Sequence, residues 1–306
     1  MNKINKKFLF QLLISLICVY YAFSGIEFSN LWRTIRNYSP GSILIVFAIS
    51  LISYLALGLR LKYMRTPALP FWDCVFAGLL CLGANNIFPA KAGEVIKASW
   101  ISRRNGFPFT GALVIVFWER FFDVNMLLLI GVWTAWTLNI EPGLLTGLLI
   151  LAAIWVLLLF AKKYPAFFPA LFKRLNMSKL TDLLNTLQEE VNSYMKIKSL
   201  LWLVISTFFI WTIYAVVFVF SIKCIAELNV DITQGICIFA ISSLGMLLPS
   251  TPGAIGVYEA STVIALSWFG IAKEQALGIA LFNHALQLIP TTLLGLAVFI
   301  KYRVYL

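Results

Sequence analysis

The sequence predicts an all-α polytopic membrane protein with about six full spans and two oppositely oriented re-entrant helical hairpins. Its 306 residues are 61% hydrophobic and only 12% charged, and the mean hydropathy is +0.89. Several apolar runs approach or exceed the roughly 20 residues that a helix needs to cross a bilayer. Two further apolar regions are interrupted near the middle by proline and glycine. We therefore expect one integral membrane domain over residues 1–306.

The first predicted span follows a basic N-terminus that has the shape of a secretory signal, and we interpret it as an uncleaved span. The six spans cover residues 8–24, 41–59, 109–138, 143–161, 200–222 and 275–300. The interrupted regions are residues 71–102 and 232–269. If each of these is a hairpin that enters and leaves on one face, the chain crosses six times and both termini lie on the same side.

Basic residues are distributed unevenly between the two predicted faces. The face with both termini collects most lysines and arginines, whereas the other face keeps Arg33, Arg36, Lys223 and Lys273. Cytoplasmic loops are typically rich in Lys and Arg, so we expect cytoplasmic termini and a location in the cytoplasmic (inner) cell membrane. This topology and contact with anionic lipids explain the net charge of +11 better than a nucleic-acid partner does.

The two interrupted regions contain similar sequences, PAKAGEVIKAS at 89–99 and PSTPGAIGVYEAS at 249–261. Broken helices at corresponding places in two halves of opposite orientation are typical of inverted-repeat transporters. We expect a first repeat over about 41–138 and a second over about 200–300. Pro252 after Ser250 or Thr251 predicts a helix start whose free N–H groups attract anions. The alternative is that Pro and Gly merely kink two ordinary spans.

The segment between the repeats, about 165–198, has a different pattern. Apolar residues recur at helical spacing over 177–198, with polar residues on the rest of the helical wheel. This pattern predicts an amphipathic connector on the cytoplasmic surface or a docking helix for a partner enzyme.

Charged side chains at membrane depth are the candidates for a function. Lys91, Glu94 and Lys97 lie three residues apart, so we expect them on one side of the second half-helix. In WERFFD, Glu119, Arg120 and Asp123 form a static ion-pair staple between helices in one interpretation. In the other, Arg120 and Lys91 or Lys97 hold an anionic headgroup, while Glu94 or Glu259 meets a cationic group or takes a proton.

Two further candidates lie in the second half of the chain. Glu259 has no cation nearby in sequence, which makes it the better proton-coupling candidate. His284, the single histidine, either packs with Asn283 and Gln287 as hydrogen-bond partners or faces a wet cavity that we expect between the two hairpins.

No chemistry of bond cleavage or group transfer is visible. The five cysteines lie in or beside apolar segments without C-x-x-C pairing, so we expect no metal and no cofactor. No nucleophile elbow or Walker-type loop is present in the sequence. We therefore predict that the chain is not an enzyme and that it is not an ATP-driven pump by itself.

Four motifs in order resemble the transmembrane region of the lysylphosphatidylglycerol synthases, a family of flippase-like integral membrane proteins. The family pattern has an early Arg, N-N-x-x-P-x-x-x-G-[DE]-x-x-[RK], E-R-x-x-D and P-x-x-P-G-G-x-G-x-x-E. The matching residues here are Arg60, Asn85, Asn86, Pro89, Gly93, Glu94, Lys97, Glu119, Arg120, Asp123, Pro249, Pro252, Gly253, Gly256 and Glu259. Ala254 replaces the second late Gly, and Asn283-His284 stands where relatives often carry an Arg.

The resemblance implies the lipid-translocating part of the family, without the soluble synthase domain. We expect a secondary transporter that flips an aminoacylated phospholipid or a polyprenyl-phosphate-linked sugar, with the lipid headgroup as its partner. The alternative is an accessory subunit of a glycosyltransferase or lipid-modifying enzyme. The expected substrate-binding residues are Asn85, Asn86, Lys91, Glu94, Lys97, Glu119, Arg120, Asp123, Gly253, Glu259 and His284.

Overall fold

A computed structural model describes residues 6–64, 69–174 and 197–302. These residues form α-helices joined by short turns, without a strand, which confirms the predicted all-α class. The helices are α1 (Lys6–Phe23), α2 (Phe28–Arg36), α3 (Pro40–Tyr63), α4 (Phe71–Ile87), α5 (Gly93–Asn105), α6 (Phe109–Thr137), α7 (Glu141–Lys163), α8 (Phe167–Arg174), α9 (Ile197–Phe220), α10 (Ile232–Gly245), α11 (Val257–Ser267) and α12 (Lys273–Tyr302).

Within the described residues, four helices are long and apolar enough to cross a membrane: α3, α7, α12 and α9 with the π-helical turn that follows it. The pair α1–α2 is bent by 82° and could supply a fifth crossing. Each predicted full span coincides with a helix. α6 has 29 residues but carries three charged side chains in its middle. The count of six spans and the inverted repeat therefore stay predictions.

The first interrupted region, α4 and α5, is a helical hairpin. Arg104 on α5 pairs with Asp73 on α4 at 3.2 Å, and the Trp100 indole donates to the Asp73 carbonyl at 2.9 Å. At the other end, the Gly93 amide donates to Asn85 Oδ1 at 2.9 Å. The chain thus returns along itself after a turn that contains a 3-10 segment, Pro89–Lys91.

The second interrupted region is built in the same way from α10 and α11, which pack against each other. A Cβ at Gly245 on α10 would collide with the Ser261 side chain on α11, so glycine permits the close approach of these helices. The intervening turn contains a second 3-10 segment, Pro252–Ala254. The prediction that Pro and Gly interrupt both regions is confirmed.

The helices belong to two compact units. The first is drawn from Met1–Ala56, Gly78–Ile96 and Ile210–Leu306, and the second from Leu57–Ala77 and Lys97–Phe209. In the first unit, α11 packs against α1, α10 and α12. In the second unit, α6 packs along α7, where the Trp155 indole donates to Asn125 Oδ1 at 2.8 Å.

The predicted connector at about 165–198 is described only at its ends. Its first part forms α8, and its last residues enter α9. Residues 175–196, which include most of the predicted amphipathic stretch, lie outside the described residues.

Candidate functional site

The second break, between α10 and α11, uses backbone conformations that favour glycine. Gly253 and Gly256 have φ of 71° and 86°, and Ala254 has φ of 56°. Pro252 begins only a short 3-10 turn, and α11 begins at Val257. The predicted cap at Thr251 and start at Pro252 thus belong to the 3-10 segment. The α-helix itself begins only at Val257, because the left-handed residues after Pro252 cannot continue a helix.

A chain of hydrogen bonds closes the second break. Glu259 Oε2 accepts from the Gly256 amide at 2.7 Å, and Glu259 Oε1 lies 2.6 Å from His284 Nδ1. The other ring nitrogen, Nε2, lies 2.7 Å from the Gly253 carbonyl oxygen. Both side chains are buried. The amide of Gly256, the residue just before α11, is thus satisfied by the protein's own carboxylate.

This arrangement corrects two sequence-based expectations. Glu259 does have a partner that can carry positive charge, but His284 lies 25 residues away on α12. His284 bonds to Glu259 and Gly253 in place of the expected Asn283 and Gln287. The packing of α11 on α12 produces both contacts, and local sequence carries no signal for it.

Helix α1 covers another side of the second break. The Ser15 hydroxyl accepts from the Thr251 amide at 3.1 Å and lies 3.0 Å from the Thr251 hydroxyl. A Cβ at Gly256 would lie 2.5 Å from the Ser15 carbonyl oxygen, so α1 approaches the break at its glycine. Sequence reasoning missed this role of α1, because one serine in an apolar span carries no distinguishing pattern.

The first break, between α4 and α5, is held by neutral amides. Asn85 accepts from the Gly93 amide, and a Cβ at Gly93 would collide with the Cys81 carbonyl. Ala90 and Lys91 both have left-handed φ values, 60° and 54°. Lys91 is exposed and precedes α5, so the expectation that it shares a helical face with Glu94 and Lys97 is wrong.

The two breaks meet within the first unit. The 3-10 turns Pro89–Lys91 and Pro252–Ala254 lie against each other. Just before the first break, the Asn86 side-chain amide lies within hydrogen-bond distance of three acceptors on α12: the Thr291 and Thr292 hydroxyls, each at 2.9 Å, and the Leu288 carbonyl at 3.3 Å. Helix α12 therefore contacts both breaks, through Asn86 and through His284.

The second unit contains a buried ion cluster. Arg60 on α3 binds both oxygens of Asp123 at 2.7 and 3.2 Å, and its Nε lies 3.5 Å from Glu119. Lys97 on α5 pairs with the second oxygen of Glu119. Arg60 and Glu119 are each 1% exposed, and Lys97 is 3% exposed. These side chains bring two positive and two negative charges together, so they balance.

This geometry matches the static ion-pair staple, because the charges join α3, α5 and α6. Arg120 differs from the others, since its side chain is 44% exposed and lies 3.4 Å from Asp123. Sequence reasoning placed Glu119, Arg120 and Asp123 together, but it did not pair Arg60 or Lys97 with them. The described residues contain no group of three or more His, Cys, Asp or Glu that could hold a metal ion.

Residues 8–295 match the family described as the lysylphosphatidylglycerol synthase TM region. The chain belongs to this family. The match covers both breaks and the ion cluster, and it confirms the resemblance inferred from the four motifs. The family and the apolar helices identify a multi-pass membrane protein related to lipid modification or transport. Comparison with curated proteins and with solved structures gives no significant match.

Proposed function

We propose that this chain is a secondary transporter that flips a lipid with an anionic or modified headgroup across the cytoplasmic membrane. The substrate is an aminoacylated phospholipid or a polyprenyl-phosphate-linked sugar. The termini are cytoplasmic, and the chain performs no covalent chemistry on the lipid. The headgroup crosses beside the two breaks while the acyl or prenyl chains stay in the bilayer.

The meeting of the two breaks carries this proposal. Both break otherwise apolar helical segments, and both turn segments have left-handed backbone. Irregular backbone at membrane depth is tolerated only where it is buried in protein or lines a wet cavity. Two such segments in contact, in a family linked to lipid chemistry, support a path for a polar group.

Each unit has one exposed cation that we propose as a contact for a phosphate. Lys91 lies in the turn of the first break, and Arg120 is exposed on α6. Lys97 and Glu119 are buried in ion pairs, so we assign them to the frame of the second unit. Asn85, Asn86 and Gly253 shape the breaks, since they form hydrogen bonds with other residues of the protein.

The test is a flipping assay with the purified full-length chain in proteoliposomes. Three labelled lipids are compared: an aminoacylated phospholipid, a polyprenyl-phosphate-linked sugar and unmodified phosphatidylglycerol. We expect protein-dependent movement of one modified lipid, measured by its access to a membrane-impermeant reagent. The variant Arg36→Ala, which removes an exposed cation on α2, is the matched control and should behave as wild type. No movement of any of the three, with or without ion gradients, contradicts the proposal.

A second proposal follows from the family description, which names a synthase. The chain would then be an accessory subunit of a lipid-modifying enzyme or glycosyltransferase, docked through residues 177–198. Lipid modification that appears only when a co-purifying enzyme is present, without flipping by the chain alone, would favour it.

A further inference from the structure

We infer that the contact between Glu259 and His284 is a proton-binding site that fastens the second break to α12, and that loss of one proton unfastens it. The site consists of the Glu259 carboxyl group, both nitrogens of His284 and the Gly253 carbonyl oxygen. The inference rests on which of these atoms must donate a hydrogen bond and which can only accept one.

The contact with Gly253 fixes one side of the imidazole ring. A carbonyl oxygen can only accept a hydrogen bond. His284 Nε2 lies 2.7 Å from the Gly253 oxygen, so Nε2 must carry a hydrogen and donate it.

The contact with Glu259 then requires one more proton. His284 Nδ1 lies 2.6 Å from Glu259 Oε1, which is hydrogen-bond distance. Either the ring is an imidazolium that donates to a carboxylate, or a protonated carboxyl group donates to a neutral ring. In both cases the pair holds one proton more than a neutral histidine facing a carboxylate. The second oxygen of Glu259 is already engaged by the Gly256 amide.

Removing that proton must break one of the two contacts. A neutral ring with its hydrogen on Nε2 keeps the Gly253 bond, but it then presents a lone pair to the Glu259 carboxylate. A ring with its hydrogen on Nδ1 keeps the Glu259 bond but presents a lone pair to the Gly253 carbonyl. The opposed acceptors repel in a buried site, so the ring separates from Glu259 or from the break.

The surroundings contain few competing charges. The Tyr258 ring lies against the imidazole, with 4.8 Å between ring centroids. Other titratable groups lie on the elements that pack against α11 and α12. Among the described side chains they are Cys18, Tyr20 and Tyr21 on α1, Arg33 and Arg36 on α2, Lys91 at the first break, Lys223 and Cys224 in the π-helical turn after α9, Cys237 on α10, and Lys273, Glu274, Lys301 and Tyr302 on α12. Lys273 is held at the start of α12 by the Tyr21 and Ser24 carbonyls, at 2.8 and 2.7 Å.

The role of this proton in transport rests on the proposed function. If the chain is a secondary transporter, the site makes the proton its coupling ion, because proton binding and the attachment of the second break are the same event. The proton count itself does not depend on transport. It can therefore be measured on protein that moves no lipid.

The single histidine makes the measurement direct. Full-length protein labelled with ¹⁵N only in histidine, purified in detergent without a histidine tag, gives ring nitrogen signals from His284 alone. The signals are followed over about pH 5 to 9, the range in which histidines usually change charge. We expect a hydrogen on Nε2 at low pH and a single step at which the ring changes its protonation or tautomer.

The variant Glu259→Gln separates the inference from an isolated histidine. The glutamine amide donates to Nδ1 without an added proton, and it offers no negative charge to an imidazolium. We therefore expect the step to move to lower pH. Glu274→Gln, on the same helix, is the matched control and should leave the step in place. The inference is overturned if the step is unchanged in Glu259→Gln. It is also overturned if Nε2 carries no hydrogen at any pH measured.

Opening of the break is tested by the access of water to Ala254, which is buried. Ala254→Cys in a background without the five native cysteines is labelled with a small aqueous thiol reagent. The labelling rate of this cysteine is divided by the labelling rate of Ala272→Cys, an exposed position. The ratio corrects for the general rise of thiol reactivity with pH. We expect the ratio to rise severalfold above the step and to stay low with Glu259→Gln. A ratio that is constant across the step overturns the proposed unfastening.

Discussion

The two breaks have similar sequences and similar surroundings but different chemistry. Each precedes a helix with an acidic residue in its first turn, Glu94 on α5 and Glu259 on α11. Each is tied to α12. The first is held by the amides of Asn85 and Asn86, which have no charge to gain or lose. The second is held by a histidine and a carboxyl group, which can exchange protons. A carboxyl group is also present at the first break, since Asn85 Nδ2 lies 3.5 Å from Glu94 Oε1.

The ion cluster of the second unit extends this comparison. Arg60, Lys97, Glu119 and Asp123 balance each other without a shared proton, because each cation has a carboxylate partner. Arg60 and Glu119 are more deeply buried than Asp123. Buried pairs of this kind fix the arrangement of helices, and breaking one leaves an uncompensated charge. A permanent staple and a proton-dependent contact thus use different residue types.

We expect the largest effect from Glu119→Gln. The substitution removes one of the two carboxylates of the cluster and leaves Arg60 and Lys97 buried with Asp123 alone. Loss of one member of a buried ion pair costs about 3–5 kcal/mol of folding free energy. Thermal unfolding in detergent and the yield of folded protein measure this loss. Glu141→Gln, at an exposed residue at the start of α7, is the control. A stable Glu119→Gln protein that fails only in lipid transport would contradict the staple and support a headgroup role.

Much of the fold was predictable from sequence because apolar length and Pro–Gly interruptions are local signals. They located both hairpins, and the four motifs identified the family. The pairing of side chains was less predictable. Arg60 and Asp123 lie 63 residues apart, and His284 and Glu259 lie 25 apart on different helices. Such contacts depend on how helices pack, and no spacing rule within one helix contains that information.

The conformations of the breaks show the same limit. Glycines at 253 and 256 signalled left-handed backbone, but Ala90 and Lys91 adopt it without that signal. Lys91 was therefore expected on α5, but it lies in the 3-10 turn that contacts the second break. The six-span topology and the substrate-binding residues remain predictions.

We expect a smaller effect from Asn86→Ala, which tests whether the first break is independent of pH. The variant removes the contacts with Leu288, Thr291 and Thr292 and leaves their oxygens to find other donors. The expected loss of stability is about 1–3 kcal/mol. In a cysteine-free background, Asn86→Ala should increase the labelling of Ala92→Cys by the same factor at every pH, relative to Ala272→Cys. Asn37→Ala, at an exposed residue after α2, is the control. An increase confined to high pH would mean that the first break also titrates.

The smallest effect is expected at the two exposed cations, Lys91 and Arg120. Exposed ion pairs contribute up to about 1 kcal/mol, so Lys91→Ala or Arg120→Ala should weaken binding of an anionic headgroup by roughly fivefold. The loss should shrink at high salt, because salt screens exposed charges. Arg36→Ala should have no effect on binding, and the unfolding temperature of all three variants should stay close to that of the wild type. If Arg120→Ala instead lowers the unfolding temperature as far as Glu119→Gln does, Arg120 belongs to the staple through Asp123. Of Lys91 and Arg120, Lys91 alone would then remain a proposed contact for a phosphate.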